Sequence, residues 1–501
     1  MSCRRSPLIT VPATLFRNAS WSGAAAAFRA ASGLVNALLA LRLLGVVAYG
    51  QVAAVLSLFV LYLSLNSSVF TVLVAKLMAP RAVDAGEDRS LMLAGVSVFT
   101  AVSTVLLVFA TLLLRELGPQ FLSIEPGNVL HAEIRLVILL MGVLTAIQIV
   151  VALHSALIES VGRLDLAMKW QLVGPTVLLV MLTVLFVARL SITPSGYMVA
   201  LCASALTDLC LLWLVKRNVM PSSFPFWPLH NWLGGLVQLL ISSGILQATS
   251  LMNMFLEPLN KLLLNYFIGA AAVTIYDLAM KVIWGIQHLF GAAMRVFLHL
   301  GSQEEEAVGQ TFPRVIALVG VPVVILHTIG ALLLSWVAHH WMAIDAAQLM
   351  VFFAIATLSN LGMIYVTPLY ISLIGRGDFR FIFRCQAILA GTNGAVSLAL
   401  IPHFGLIGAA FGLLTATAYN VVAIYVRCKQ SSGAFGRFGA PFRGALVRYV
   451  LAMLLFIVAI VLGIKSGDGV AGLLIVLLGL AAIMVREPII GTVMGRMGFK
   501  T

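Results

Sequence analysis

Stretches of some twenty apolar residues follow one another along nearly the whole chain, parted only by short polar connections. About 20 residues of α-helix cross the roughly 30 Å hydrocarbon core of a bilayer. Only helices and closed barrels satisfy their backbone polar groups there. Long segments alternating with a period of two are missing, so a barrel is not expected. Of the 501 residues, 61% are hydrophobic and only 10% are charged, whereas a soluble domain carries about 25%. With a mean hydropathy of +1.07, the chain is expected to be an all-α polytopic membrane protein and not a soluble domain with an anchor.

Hydropathy and punctuation place about fourteen spans, near 20–44, 49–75, 90–114, 132–156, 167–189, 194–215, 232–257, 268–296, 311–335, 346–373, 382–401, 405–426, 447–464 and 468–485. The seventh and eighth are parted at Glu257-Pro258, where proline removes a backbone donor. With the amino terminus inside, 22 of the 31 Lys and Arg fall on the cytoplasmic side and 3 outside. The rest lie in or beside spans. That bias predicts both termini in the cytoplasm. It also explains the net charge of +13 without nucleic-acid binding, since the cations are scattered among short loops.

Two segments echo each other. Leu157–Asp165 reads LIESVGRLD and Tyr370–Asp378 reads YISLIGRGD, each with Gly-Arg-x-Asp between two spans. A second echo pairs Leu44-Gly45…Tyr49 with Ile268-Gly269…Tyr276. Six predicted spans separate the copies, so the repeat is parallel, with its axis along the membrane normal. Four segments are therefore expected: a cytoplasmic leader (1–17), a lobe of six spans (18–217), a second lobe of six (218–430), and a final pair of spans with a cytoplasmic tail (431–501).

Charges inside the spans carry the functional signal. Each costs about 2.5–3.5 kcal/mol at the bilayer centre even on the lenient insertion scale, so they should line a protected, wet cavity. On the eighth span, Asp277, Lys281, His288 and Arg295 share one face with Trp284. On the seventh, Ser250, Asn253, Glu257, Asn260 and Lys261 cluster beside the Pro258 kink. Local i,i+4 pairing of Asp277 with Lys281 and of Glu257 with Lys261 is the competing explanation. The first span offers Arg29 and Asn36 on one face, with Arg42 nearer its outer end; the sixth buries Asp208. A mostly cationic cavity suits an anionic cargo. Asp208, Glu257 and Asp277 are candidates for proton or sodium coupling, or for holding the cations in place.

Other signals are slight. Five cysteines include no Cys-x-x-Cys and read as small apolar filler. His339-His340-Trp341 reads as part of an interfacial aromatic belt. No Walker A loop and no nucleophile–base pair stands out, so no metal, cofactor or enzymatic activity is expected.

The stretches LRLLGVVAYGQVAAVLSL (Leu41–Leu58), NKLLLNYFIGAAAVTIYDLAMKV (Asn260–Val282) and GRGDFRFIFRCQAILAGTNGAVSLALIPHFGLIGAAFG (Gly375–Gly412) resemble bacterial polysaccharide exporters of the Wzx type. Asn393, Pro402, Gly405, Gly408, Ala409 and Ala410 carry the last likeness. The resemblance covers roughly residues 18–430. It places the chain beside oligosaccharide-lipid flippases, the lipid II flippase and multidrug extrusion antiporters. It implies two six-helix lobes around a central cavity opening to alternate sides, in a bacterial inner membrane. Arg29 resembles the first-helix arginine of the lipid II flippase and its relatives.

The expected activity is translocation of a polyprenyl-pyrophosphate-linked oligosaccharide, such as an O-antigen, capsule or exopolysaccharide unit. Arg29, Asn36, Arg42, Asn253, Lys261, Lys281, His288 and Arg295 are the substrate-binding candidates. Membrane lipids, a polysaccharide polymerase and a chain-length regulator are the implied partners. The alternatives are a lipid II flippase for peptidoglycan and, less favoured by a cationic cavity, a drug–cation antiporter. Fourteen spans match the lipid II flippase better than the twelve common among polysaccharide exporters.

Overall fold

The computed structural model describes residues 13–78, 86–121, 129–160, 163–219, 232–253, 255–294, 322–323, 325–342, 346–375 and 378–430. All regular structure among them is helical. The first half comprises α1 (Ala13–Leu44), α2 (Val46–Met78), α3 (Gly86–Phe121), α4 (Val129–Ser160), α5 (Leu164–Trp170), α6 (Val173–Val187) and α7 (Pro194–Val219). The second comprises α8 (Trp232–Asn253), α9 (Glu257–Phe267), α10 (Ala270–Met294), α11 (325–337), α12 (Ala346–Gly375), α13 (Phe379–Phe404) and α14 (Leu406–Gln430). A π-turn, Ala338–Met342, continues α11.

Among the described residues, eight helices are long and apolar enough to cross a membrane, or ten if two bent pairs each count once. The predicted spans 447–464 and 468–485 lie outside the described residues, as does the start of the ninth. On α3 the exposed side chains Val102, Val105, Leu106, Phe109, Leu112 and Leu113 recur every three or four positions. Such a stripe faces lipid, which is as apolar as the side chains themselves. The inner faces meet around Phe59, Tyr276, Phe352 and Phe353, all nearly inaccessible.

The seventh span corrects the sequence reading. It does not end at Glu257-Pro258. The helix stops at Asn253, resumes at Glu257 and runs on to Phe267, and the span is bent by 57° after Ile241. The reversal into the eighth span occurs at Gly269, with φ +113°. Gly45, with φ +83°, makes the same turn between α1 and α2. An L-residue with a Cβ rarely adopts that conformation. The Gly45 amide donates to the Leu41 carbonyl four residues back (2.8 Å), and the Gly269 amide to the Leu264 carbonyl five residues back (2.9 Å). A second pair of positive φ values, at Arg189 and Gly405, marks the turns α6–α7 and α13–α14.

The Gly-Arg-x-Asp echoes also place their acids alike. Asp165 lies in the first turn of α5 and accepts from Arg163 (3.3 Å), and Asp378 precedes α13 and accepts from Arg427 (2.8 Å). A carboxylate complements the positive end of the following helix. The halves meet where α1 packs on α10, α2 on α8, α9 and α10, and α3 on α8.

Candidate functional site

The helix break before Pro258 is the starting point of the first cluster. Interrupting α8 and α9 leaves carbonyls without helical partners. Asn393 of α13, fully buried, donates to the Phe255 carbonyl at 2.7 Å and the Leu256 carbonyl at 3.3 Å. Its amide also meets that of Asn260 (3.3 Å), which donates to the Tyr276 hydroxyl (3.3 Å). The break is thereby held open by side chains, and α9 is aimed so that Glu257 and Lys261 face α10.

There the charges form an alternating row. The Lys261 ammonium bridges Glu257 Oε1 at 2.5 Å and Asp277 Oδ1 at 2.6 Å. The other Asp277 oxygen takes the Lys281 ammonium and the Tyr49 hydroxyl, the latter at 2.6 Å. The Lys281 ammonium also stands 5.8 Å from the centre of the Tyr49 ring. Burial is deepest in the middle: side-chain exposure is 1% for Asp277 and 9% for Lys261, but 27% for Glu257 and 34% for Lys281. Both i,i+4 pairs weighed from the sequence form, and Lys261 joins them into one network. Two acids and two cations leave it formally neutral. Buried ions are tolerated in such mutual satisfaction, and removing one partner is costly.

Tyr49 belongs to the first half and Asp277 to the second, so the row spans their contact. Thr274 Oγ1 donates to the Val46 carbonyl at 2.5 Å beside it. A Cβ on Gly50 would collide with the Ala270 carbonyl, so only glycine lets α2 and α10 approach this closely.

A second cluster surrounds a two-residue break inside the fifth span, which otherwise runs over 165–187, close to where the sequence placed it. Between α5 and α6 the chain turns at Gln171-Leu172, ahead of Gly174-Pro175. The freed Gly174 amide donates to Asp208 Oδ1 at 2.6 Å, and Asn36 Nδ2 donates to the Pro175 carbonyl at 3.4 Å. Arg29, exposed on α1, donates to Gln171 Oε1 (3.2 Å) and contacts Met168 Sδ (3.2 Å). Gln171 in turn donates to Ser155 (2.6 Å), which reaches Glu159 (3.2 Å). Three candidates from two spans, Arg29 and Asn36 on α1 and Asp208 on α7, thus converge on one break. The Gly-Pro dipeptide was its sequence signal, and Gln171 and Tyr49 are the participants that sequence reasoning missed.

The clusters are linked through α1 and α10. A Cβ on Gly285, one turn beyond Lys281, would stand 3.3 Å from the Ala30 side chain, next to Arg29. His288 is exposed on the same stripe, with its ring 6.3 Å from that of Trp284. Trp284 Nε1 and Asn36 Oδ1 are buried with no hydrogen-bond partner among the described residues. Arg42 is exposed in the last turn of α1. Asn253 ends α8, and its side chain lies outside the description, as does the whole of Arg295. Among the described residues, no three of His, Cys, Asp and Glu gather as a metal site would require.

The fold is shared with solved flippase and transporter structures. No family model matches the sequence, and no curated protein matches it either. Among solved structures, the chain is similar to the lipid II flippase MurJ in an inward closed conformation, with a TM-score of 0.66 at 12% identity over 93% of this chain and 98% of that one. It is similar to a multidrug resistance MATE family transporter in an inward-facing conformation (0.59, 14%, 80% and 96%). It is likewise similar to the MATE multidrug transporter DinF-BH (0.59, 13%, 86% and 98%). At these identities the likeness establishes the fold and leaves the cargo to the site.

Proposed function

We propose that this protein is a flippase carrying a polyprenyl-pyrophosphate-linked oligosaccharide from the cytoplasmic to the outer leaflet of a bacterial plasma membrane by alternating access. The observation that carries the reading is the placement of Arg29 and Lys281. They stand on the packed helices α1 and α10, the first exposed and the second one-third exposed at the open end of the charge row. A pyrophosphate is anionic at every physiological pH; Arg binds phosphate in bidentate fashion and Lys as a point charge.

The unpartnered Asn36 Oδ1 and Trp284 Nε1 supply an acceptor and a donor for sugar hydroxyls. His288 lies on the same face of α10, and Arg295 follows it in the sequence at helical spacing. The polyprenyl tail stays in lipid while the headgroup crosses between the lobes. A polymerase acting on the delivered glycan, together with a chain-length regulator, is the natural consumer.

Purified protein in proteoliposomes tests this. A lipid-pyrophosphate-linked oligosaccharide is supplied, and its exposure to an external lectin or glycosidase is followed. Protein-dependent movement that fails for the sugar-free monophosphate lipid is expected. Uptake of a cationic dye with no glycolipid movement would replace the reading with an antiporter.

A further inference from the structure

We propose that Lys261 is a built-in counter-cation: its ammonium occupies the place between Glu257 and Asp277 that a small monovalent cation would otherwise take, so this pair of carboxylates takes no soluble ion. Two carboxylates this close inside a membrane span repel each other and must share a cation or a proton. In this chain the cation is covalent. The ammonium lies 2.5 Å from one carboxylate and 2.6 Å from the other.

The charge count agrees. Glu257, Asp277 and Lys281 without Lys261 carry a net charge of −1, which a single monovalent cation neutralises and a divalent one overshoots. The frame around the pair is rigid: Tyr49 fixes Asp277 from α2, and the Asn393 and Asn260 amides fix the start of α9. Loss of the lysine side chain would therefore leave the oxygens in place and open to an ion. A tethered cation cannot leave during a transport cycle, so the energy for movement does not come from sodium binding at Glu257 and Asp277. The proposal is independent of the cargo assigned above.

Thermal unfolding of the purified full-length protein tests it, in choline, sodium and potassium chloride at equal ionic strength. The wild-type midpoint is expected to be the same in all three. Lys261→Ala is expected to be destabilised in choline and to recover several degrees, saturably, in sodium or potassium, as a ligand bound only by the folded state requires. A Lys261→Ala midpoint that ignores the cation would overturn the proposal. So would a wild-type midpoint raised saturably by sodium, with the rise lost in Glu257→Gln. If Lys261→Ala does not accumulate, the wild-type and Glu257→Gln arms decide: indifference of the wild type to sodium supports the tethered cation, and Glu257-dependent stabilisation refutes it.

Discussion

The hydroxyl of Tyr49 and the carboxylate of Asp277, 228 residues apart, meet at 2.6 Å across the contact between the two halves of the molecule. Asp277 is almost wholly buried and takes two ammonium groups besides. Tyr49 is therefore the group through which the first half of the chain holds the charge network of the second.

Tyr49→Phe removes that hydrogen bond while keeping the ring. A bond to a charged acceptor contributes about 1.5–3 kcal/mol, which shifts a two-state equilibrium by roughly 10-fold to 150-fold at 1.4 kcal/mol per decade. The expected outcome is a larger population with α2 and α10 apart. Thiol labelling of a cysteine placed at Ala270 should speed up in the variant. Equal labelling rates would show that the bond does not bias the conformations.

Asp277→Ala leaves the buried Lys261 ammonium with only Glu257 to neutralise it and removes the acid that Lys281 pairs with. Breaking a buried ion pair costs about 3–5 kcal/mol, so this variant should lose far more stability than Lys281→Ala, whose side chain is one-third exposed. Unfolding midpoints in detergent rank the two. The opposite ranking would mean that burial does not govern the network.

Arg29→Ala, Lys281→Ala and Arg295→Ala should each abolish glycolipid movement at wild-type protein levels. Arg29→Lys should retain part of it, because a point charge replaces a bidentate fork. Initial rates in proteoliposomes measure this. Normal transport by all three alanine variants would remove the anion-binding assignment.

Asn393→Leu withdraws the donor from the Phe255 and Leu256 carbonyls. Leaving buried acceptors unsatisfied costs about 1–3 kcal/mol. Stability should fall by that amount, with amide exchange rising locally around residues 255–260. Unchanged exchange there would show that the break needs no support from α13.

Gly50→Val puts a branched side chain against the Ala270 carbonyl and Thr274. It should hold α2 and α10 apart and trap one conformation. Transport should be lost while expression persists, and Gly50→Ala should be milder.

The sequence by itself determined the membrane location and the helical class, because each rests on a local or periodic property. Twenty apolar residues must form a helix in lipid, and Gly45 and Gly269 announce turns that other residues resist. It also placed Asp277 four residues before Lys281, and Glu257 four before Lys261, so the i,i+4 pairs were legible.

Only the tertiary structure decided that Lys261 reaches Asp277 as well, that Tyr49 closes the network from the other half, and that Arg29, Asn36 and Asp208 converge on the Gln171–Pro175 break. Proline and glycine mark where a helix is interrupted, yet which side chain fills the gap depends on helices far away in the chain. A charge within a span shows that it must be compensated. Its partner is set by the packing of helix on helix, and packing is not periodic in the sequence.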